Sequence, residues 1–191
     1  MTSPFEPALA GRELDPVLRD QFLLPHGGGV VLEGEMDEVW HRPRAIRPLL
    51  ALTSRWNVLF AETGSGVPAR LEITRGAGGC HVWRRTFRFG VERRFDAELV
   101  RDGPRLVERT GPFELEWAVR LLEPGLLEVT TCGASLRVRG RRLRVPRALV
   151  PRVTAVERSR GRDRIHVAVT VRHPVLGAVF GYSGSFRLRR V

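Results

Sequence analysis

Between Phe113 and Leu121 the chain reads FELEWAVRL: Phe113, Leu115, Trp117, Val119 and Leu121 occupy every second position, with Glu114, Glu116, Ala118 and Arg120 between them. A side-chain period of two belongs to a strand with one face in a core and the other toward water. From Pro68 onward the pattern keeps returning, at 69–75, 80–89, 93–101, 106–110, 127–131, 152–158, 164–173 and 179–188, with Gly76-Ala77-Gly78-Gly79, Asp102-Gly103 and Pro124-Gly125 as turns. About nine or ten short strands at this spacing predict a sandwich or barrel. Consecutive hairpins favour a mainly β, antiparallel up-and-down β-barrel, calycin/lipocalin-like or a strongly curled sheet, because closure removes the exposed edges.

The N-terminal third reads differently. Residues 1–14, with Pro4 and Pro7, are expected to form a flexible arm ahead of a single domain at 15–191. Asp15-Pro16 starts a short helix, with Asp15 as side-chain cap and Leu14, Val17, Leu18 and Phe22 as its apolar side. A strand at 30–41 is expected to turn Val30, Leu32, Gly34, Met36 and Trp40 inward. Between 44 and 59, Ile46, Leu49, Leu50, Leu52, Trp56 and Leu59 recur at helical spacing, and Pro48 sets the helix start near itself. This second helix is expected to cover one end of the barrel. Pro146 and Pro151 make 147–153 a crossing loop, and Gly133 and Gly140 are expected bends.

Length and charge bound the function. At 191 residues the chain has enough material for one sizeable core. Its net charge of +11 invites a nucleic-acid reading. Every basic residue is arginine, however, as compositional drift in a GC-rich genome would give, and the densest run, Arg137 to Arg144, alternates with apolar residues like the wet face of a strand pair. No apolar run approaches the ~20 residues of a membrane span. The start lacks a basic, then apolar, leader, so a soluble cytoplasmic protein is expected. Cys80 and Cys132 read as free cysteines, and the five histidines lack metal-site spacing, so no metal and no cofactor are expected.

The candidate site is the strand Cys80 to Phe89, which aims Arg85 into the same space as His81, Trp83, Phe87 and Phe89. A guanidinium amid aromatic side chains needs an anionic partner, either an internal carboxylate such as Glu157 or Asp96 or a bound carboxylate, enolate or phosphate. Trp83, Phe87, Phe113, Trp117 and Phe180 would form the wall of a cavity, with His81 at its rim. Arg85, Tyr182 and Glu157 are the candidate catalytic groups. No GxSxG nucleophile occurs, and the pairs Glu114/Glu116 and Glu33/Glu35/Asp37 fall on outward faces and read as solvated.

Several of these pieces resemble one bacterial family. Trp83-x-Arg85-x-Phe87, Gly111-Pro112-Phe113, Leu143-x-Val145-Pro146-x-x-Leu149-x-Pro151, Glu157, Pro174-x-x-Gly177 and Tyr182-x-Gly184 are similar, in order and spacing, to domain of unknown function 4166, from about residue 15 to the end. The resemblance brings no catalytic residues of its own. It marks Trp83, Arg85, Phe87, Glu157 and Tyr182 as matching positions and implies company with NAD(P)-binding domains that look like saccharopine dehydrogenase. This chain contains no GxGxxG after a strand and so has no dinucleotide site of its own.

Three classes of function follow. In the first, the barrel binds a hydrophobic, acid-bearing small molecule and catalyses its cofactor-independent cyclisation or isomerisation, as similar small barrels do in polyketide biosynthesis. In the second, it carries a lipid or metabolite, or partners a separate dehydrogenase. The weakest class is nucleic-acid binding through the arginine run. A homodimer is compatible with all three.

Overall fold

The computed structural model describes residues 2–54 and 59–191. Eleven antiparallel strands follow two short N-terminal helices, and ten of them close into a barrel. In chain order they are α1 (Glu6–Leu9), α2 (Pro16–Phe22), β1 (Gly29–His41), α3 (Arg47–Thr53), β2 (Val67–Arg75), β3 (His81–Arg88), β4 (Glu92–Asp102), β5 (Arg105–Thr110), β6 (Phe113–Glu123), β7 (Leu126–Val138), β8 (Arg141–Arg144), β9 (Arg152–Ser159), β10 (Arg164–His173) and β11 (Gly177–Arg190). Neighbours in sequence pair as hairpins from β1 to β7, β9 pairs with β7 and β10, and β1 pairs with β11 to complete the ring. The expected up-and-down barrel is therefore the fold. Strand β8 stands outside the ring and pairs only with the far half of β7.

Two local features shape the ring. Gly34 and Gly184 sit where β1 and β11 run so close that a Cβ would lie 2.0 Å from Ser185 O and 2.3 Å from Glu35 O respectively. Only glycine permits that approach. Nearby, the β1–β11 register shifts between Met36 and Glu38, which leaves Asp37 as an extra residue. The alternation expected through Trp40 therefore reverses: Met36 and Val39 are buried, and the half-buried Trp40 packs its indole over Gly181. On the far side Gly133 marks the expected bend, the register with β6 shifting around Cys132. Gly140 turns the β7–β8 hairpin with a positive φ. Here β9 parts from β7, and Thr131 bridges the split, accepting from Val153 N–H and donating to Pro151 O.

The barrel has a closed end and a covered end. At the closed end, the segment expected as a loose arm seats Phe5 and Leu9 in the core, with α2 behind them. Phe5 packs edge-on to Phe22 at 4.8 Å, and the segment is tied down by Arg101 Nε donating to Pro4 O and Ser3 Oγ donating to Phe22 O, both at 2.7 Å. Asp15 occupies the N-cap of α2 but makes no side-chain cap; its backbone N–H donates to Pro124 O instead. At the other end the helical stretch expected over 44–59 is present over 44–53, where it turns Ile46 and Leu50 inward. Trp56 lies outside the described residues.

Candidate functional site

The barrel encloses a cavity of about 510 Å³, within the range of small-molecule sites. Of the residues expected to form it, Trp83, Arg85, Phe87, Phe113, Trp117, Glu157, Phe180 and Tyr182 all line it. His81 does not. It is fully buried beneath the N-terminal segment, its Nε2 3.2 Å from Ser3 Oγ. Burial, with Arg75 beside it, pushes its pKa down to about 4, so it is a neutral clasp for that segment and no rim group.

Arg85 is held in the wall by its neighbours. Its guanidinium lies 4.9 Å from the centre of the Trp83 ring and 4.6 Å from that of Phe95, between two π faces. Its carboxylate partner is neither Asp96 nor Glu157. Asp96 stands opposite Arg84 in the register of β3 and β4, on the outer face, and the residue in reach is Glu108 of β5, with Oε1 3.8 Å from Arg85 Nη1. Glu108 is buried, and burial raises its pKa against the opposing pull of Arg85, the Trp117 indole and the Thr110 hydroxyl. The sequence did hold a signal for it. Gly111-Pro112 makes the β5–β6 turn so tight that Thr110 pairs with Phe113, which puts Glu108 opposite Leu115 on the inward face.

Glu157 is the second buried carboxyl. It stands on β9 between Leu127 and Val167, and Gln21 of α2 donates to it from Nε2 at 2.6 Å. Sequence reasoning missed Gln21, which is fully buried on α2 and reaches Glu157. Burial raises the Glu157 pKa to about 7, although Gln21 and the charge of Arg85 pull it down. Gln21 can serve both protonation states, since its amide donates to the carboxylate and its free Oε1, turned about, accepts from the acid. Tyr182, in contact with Phe87 and Phe180, is pushed up to about 12 by burial and by Glu108 and Glu157, against the pull of Arg85.

The polar centre of the cavity thus holds one cation and two carboxyls, and burial favours keeping a proton on one of the carboxyls. Among the described residues, Trp83 Nε1 and Arg85 Nη1 are buried without hydrogen-bond partners. Buried donors without an acceptor, on residues that line the same cavity as Glu157, suit an oxygen acceptor. The rest of the wall is apolar.

The outer surface accounts for part of the arginine excess. Glu114, expected in water, is buried under Arg109, Arg137 and Arg142, whose nitrogens approach its carboxylate to 3.4, 3.1 and 2.8 Å. Arg142 also reaches Asp102 and Glu116, so the run expected as a solvated basic face is partly locked in a neutralised network. Cys80 and Cys132 are unpaired, and no three of His, Cys, Asp and Glu gather into a metal-binding group among the described residues.

No helix among the described residues is long and apolar enough to cross a membrane. No curated protein matches the sequence. A family model, described as domain of unknown function (DUF4166), matches residues 14–186, from just ahead of α2 into β11, and takes in every polar group of the cavity. Over nearly its whole length, then, the chain belongs to the DUF4166 family.

Proposed function

We propose that the barrel binds an apolar molecule bearing a carbonyl group and catalyses a cofactor-independent proton transfer on it, either an isomerisation or the enolate step of a cyclisation. The observation that carries this reading is Glu157, a buried carboxyl that titrates near neutrality and faces the same cavity as Arg85. Such a group is matched to taking and returning a proton at physiological pH. The ligand's carbonyl oxygen would accept from Trp83 Nε1 and Arg85 Nη1. Glu157 removes the hydrogen from the carbon beside it; the C–H electron pair becomes the new C=C bond, and the oxygen becomes an enolate against the guanidinium. The proton then returns to another carbon, or the enolate carbon attacks a second carbonyl and the resulting alkoxide takes the proton. With Glu108 already near Arg85, a permanently charged carboxylate fits less well than a group that turns anionic only during reaction. The expected acid-bearing ligand narrows accordingly to an enolisable one.

A carrier role rests on a different observation: Arg85 is sandwiched and paired within the wall, as a purely structural ion pair would be. One experiment separates the two. Native mass spectrometry of the protein from its source identifies the retained molecule, which is then followed in D2O with fresh protein. Deuterium entering beside the carbonyl, lost in Glu157→Gln while binding persists, supports catalysis. Retention with exchange no faster than in buffer makes the protein a carrier.

A further inference from the structure

The mouth of the cavity carries a pattern that its interior does not explain. Leu149, in the crossing between β8 and β9, and Leu176, in the turn Pro174–Leu176 between β10 and β11, both line the cavity, yet they are 57% and 51% exposed. Val175, at the tip of the same turn, is 80% exposed. The turn is not slack, because His173 Nδ1 accepts from the backbone N–H groups of both Val175 and Leu176. It therefore projects two aliphatic side chains outward from the end of the barrel. Around them lies positive charge. Arg172 and Arg152 face each other across β9 and β10 at this end, Arg144 closes β8, and Arg42, Arg44 and Arg47 stand on the segment that covers the barrel. All six are exposed, and none forms an ion pair among the described residues. The carboxylates near this end, Glu62 and Glu92, are held by Arg93 and Arg94. Asp37 and Glu38 lie farther down β1.

We infer that this end docks on an anionic lipid surface, with Val175, Leu176 and Leu149 inserted among the headgroups and the arginine ring against the lipid phosphates, so that an apolar ligand passes between bilayer and cavity without crossing water. An acidic protein would suit the arginines equally, but it gives no reason for aliphatic side chains to stand out at the tip of a braced turn. Interfacial binding needs both features: buried apolar area and basic residues within a Debye length of anionic lipid. The inference rests on the reading of the cavity as a site for an apolar ligand. Each arginine near the surface is worth about fivefold in partitioning onto anionic lipid.

The test is sedimentation of the full chain with vesicles of phosphatidylcholine alone or with a third of phosphatidylglycerol, alongside beads coated with polyglutamate. Expected is binding to the anionic vesicles, reduced about tenfold by Val175→Asp/Leu176→Asp and about 25-fold by Arg152→Gln/Arg172→Gln, with unfolding midpoints unchanged. These positions are exposed, so folding should survive. Equal binding to neutral vesicles, or no loss in the aspartate variant, overturns the proposal. So does capture on polyglutamate that depends on the arginines but not on Val175 and Leu176, since that identifies an acidic protein partner. Uptake of an apolar fluorescent probe by the same protein, measured without vesicles, reads the cavity separately: probe uptake without vesicle binding sinks the docking face alone.

Discussion

At the scale of single residues, the buried acid–base groups carry a pH signature. An unfolded glutamate titrates near 4.5, whereas Glu157 in the barrel titrates near 7, so the folded state holds this proton more tightly. The resulting contribution to stability is fully present below pH 4.5 and is lost as the pH rises through 7. Glu157→Gln removes the titration and still accepts from Gln21. It should be more stable than the parent at pH 8, by up to about 3 kcal/mol, and indistinguishable near pH 4.5. Urea unfolding at the two pH values checks this, and a loss of stability at pH 8 would refute it. Arg85 and Glu108 make a second case. Arg85→Met alone leaves a buried carboxyl without its counter-charge and should cost about 3–5 kcal/mol. Adding Glu108→Gln should restore most of that, whereas additive losses would mean that the two side chains do not act as a pair.

At the scale of elements, what could be read from the chain divides along a physical line. Period two shows which face of a strand is inward, and it placed Phe113, Leu115 and Trp117 correctly on β6. It fails wherever one extra residue shifts the register, as at Asp37, beyond which Val39 rather than Trp40 turns inward. It is also silent about partners across strands: Glu108 was visible only through the turn that fixes its register, and Gln21 only through the helix that carries it over the barrel. Glu114 went astray for a third reason, since an outward face can still be dry when arginines fold over it. The N-terminal segment shows how composition misleads, because two prolines suggested looseness while Phe5 supplied an anchor. Phe5→Ala should cost about 3–5 kcal/mol and speed hydrogen exchange at α2 before β6. Uniform exchange across both would show that the segment only rests on the barrel.

At the scale of the whole molecule, most of the arrangement was legible because an up-and-down barrel is built from hairpins, each a local event written in a local pattern. Two pairings are not hairpins: β9 skips β8 to join β7, and β1 closes the ring with β11. Val30 pairs with Arg190, so the seam joins residues about 160 positions apart. Shortening β11 by its last five residues should abolish cooperative unfolding, while deleting β8 with its turn, outside the ring, should leave one sharp transition; calorimetry of the two variants decides. The seam also bears on how the protein is made. A ribosome adding roughly 5–20 residues per second exposes β1 on the order of ten seconds before β11 emerges, and until then the nascent sheet is an open trough with its greasy inner surface bare. The chain should therefore lean on a holding chaperone during synthesis, and any ligand present in that interval can be enclosed as the last strand zips home rather than having to enter by the mouth.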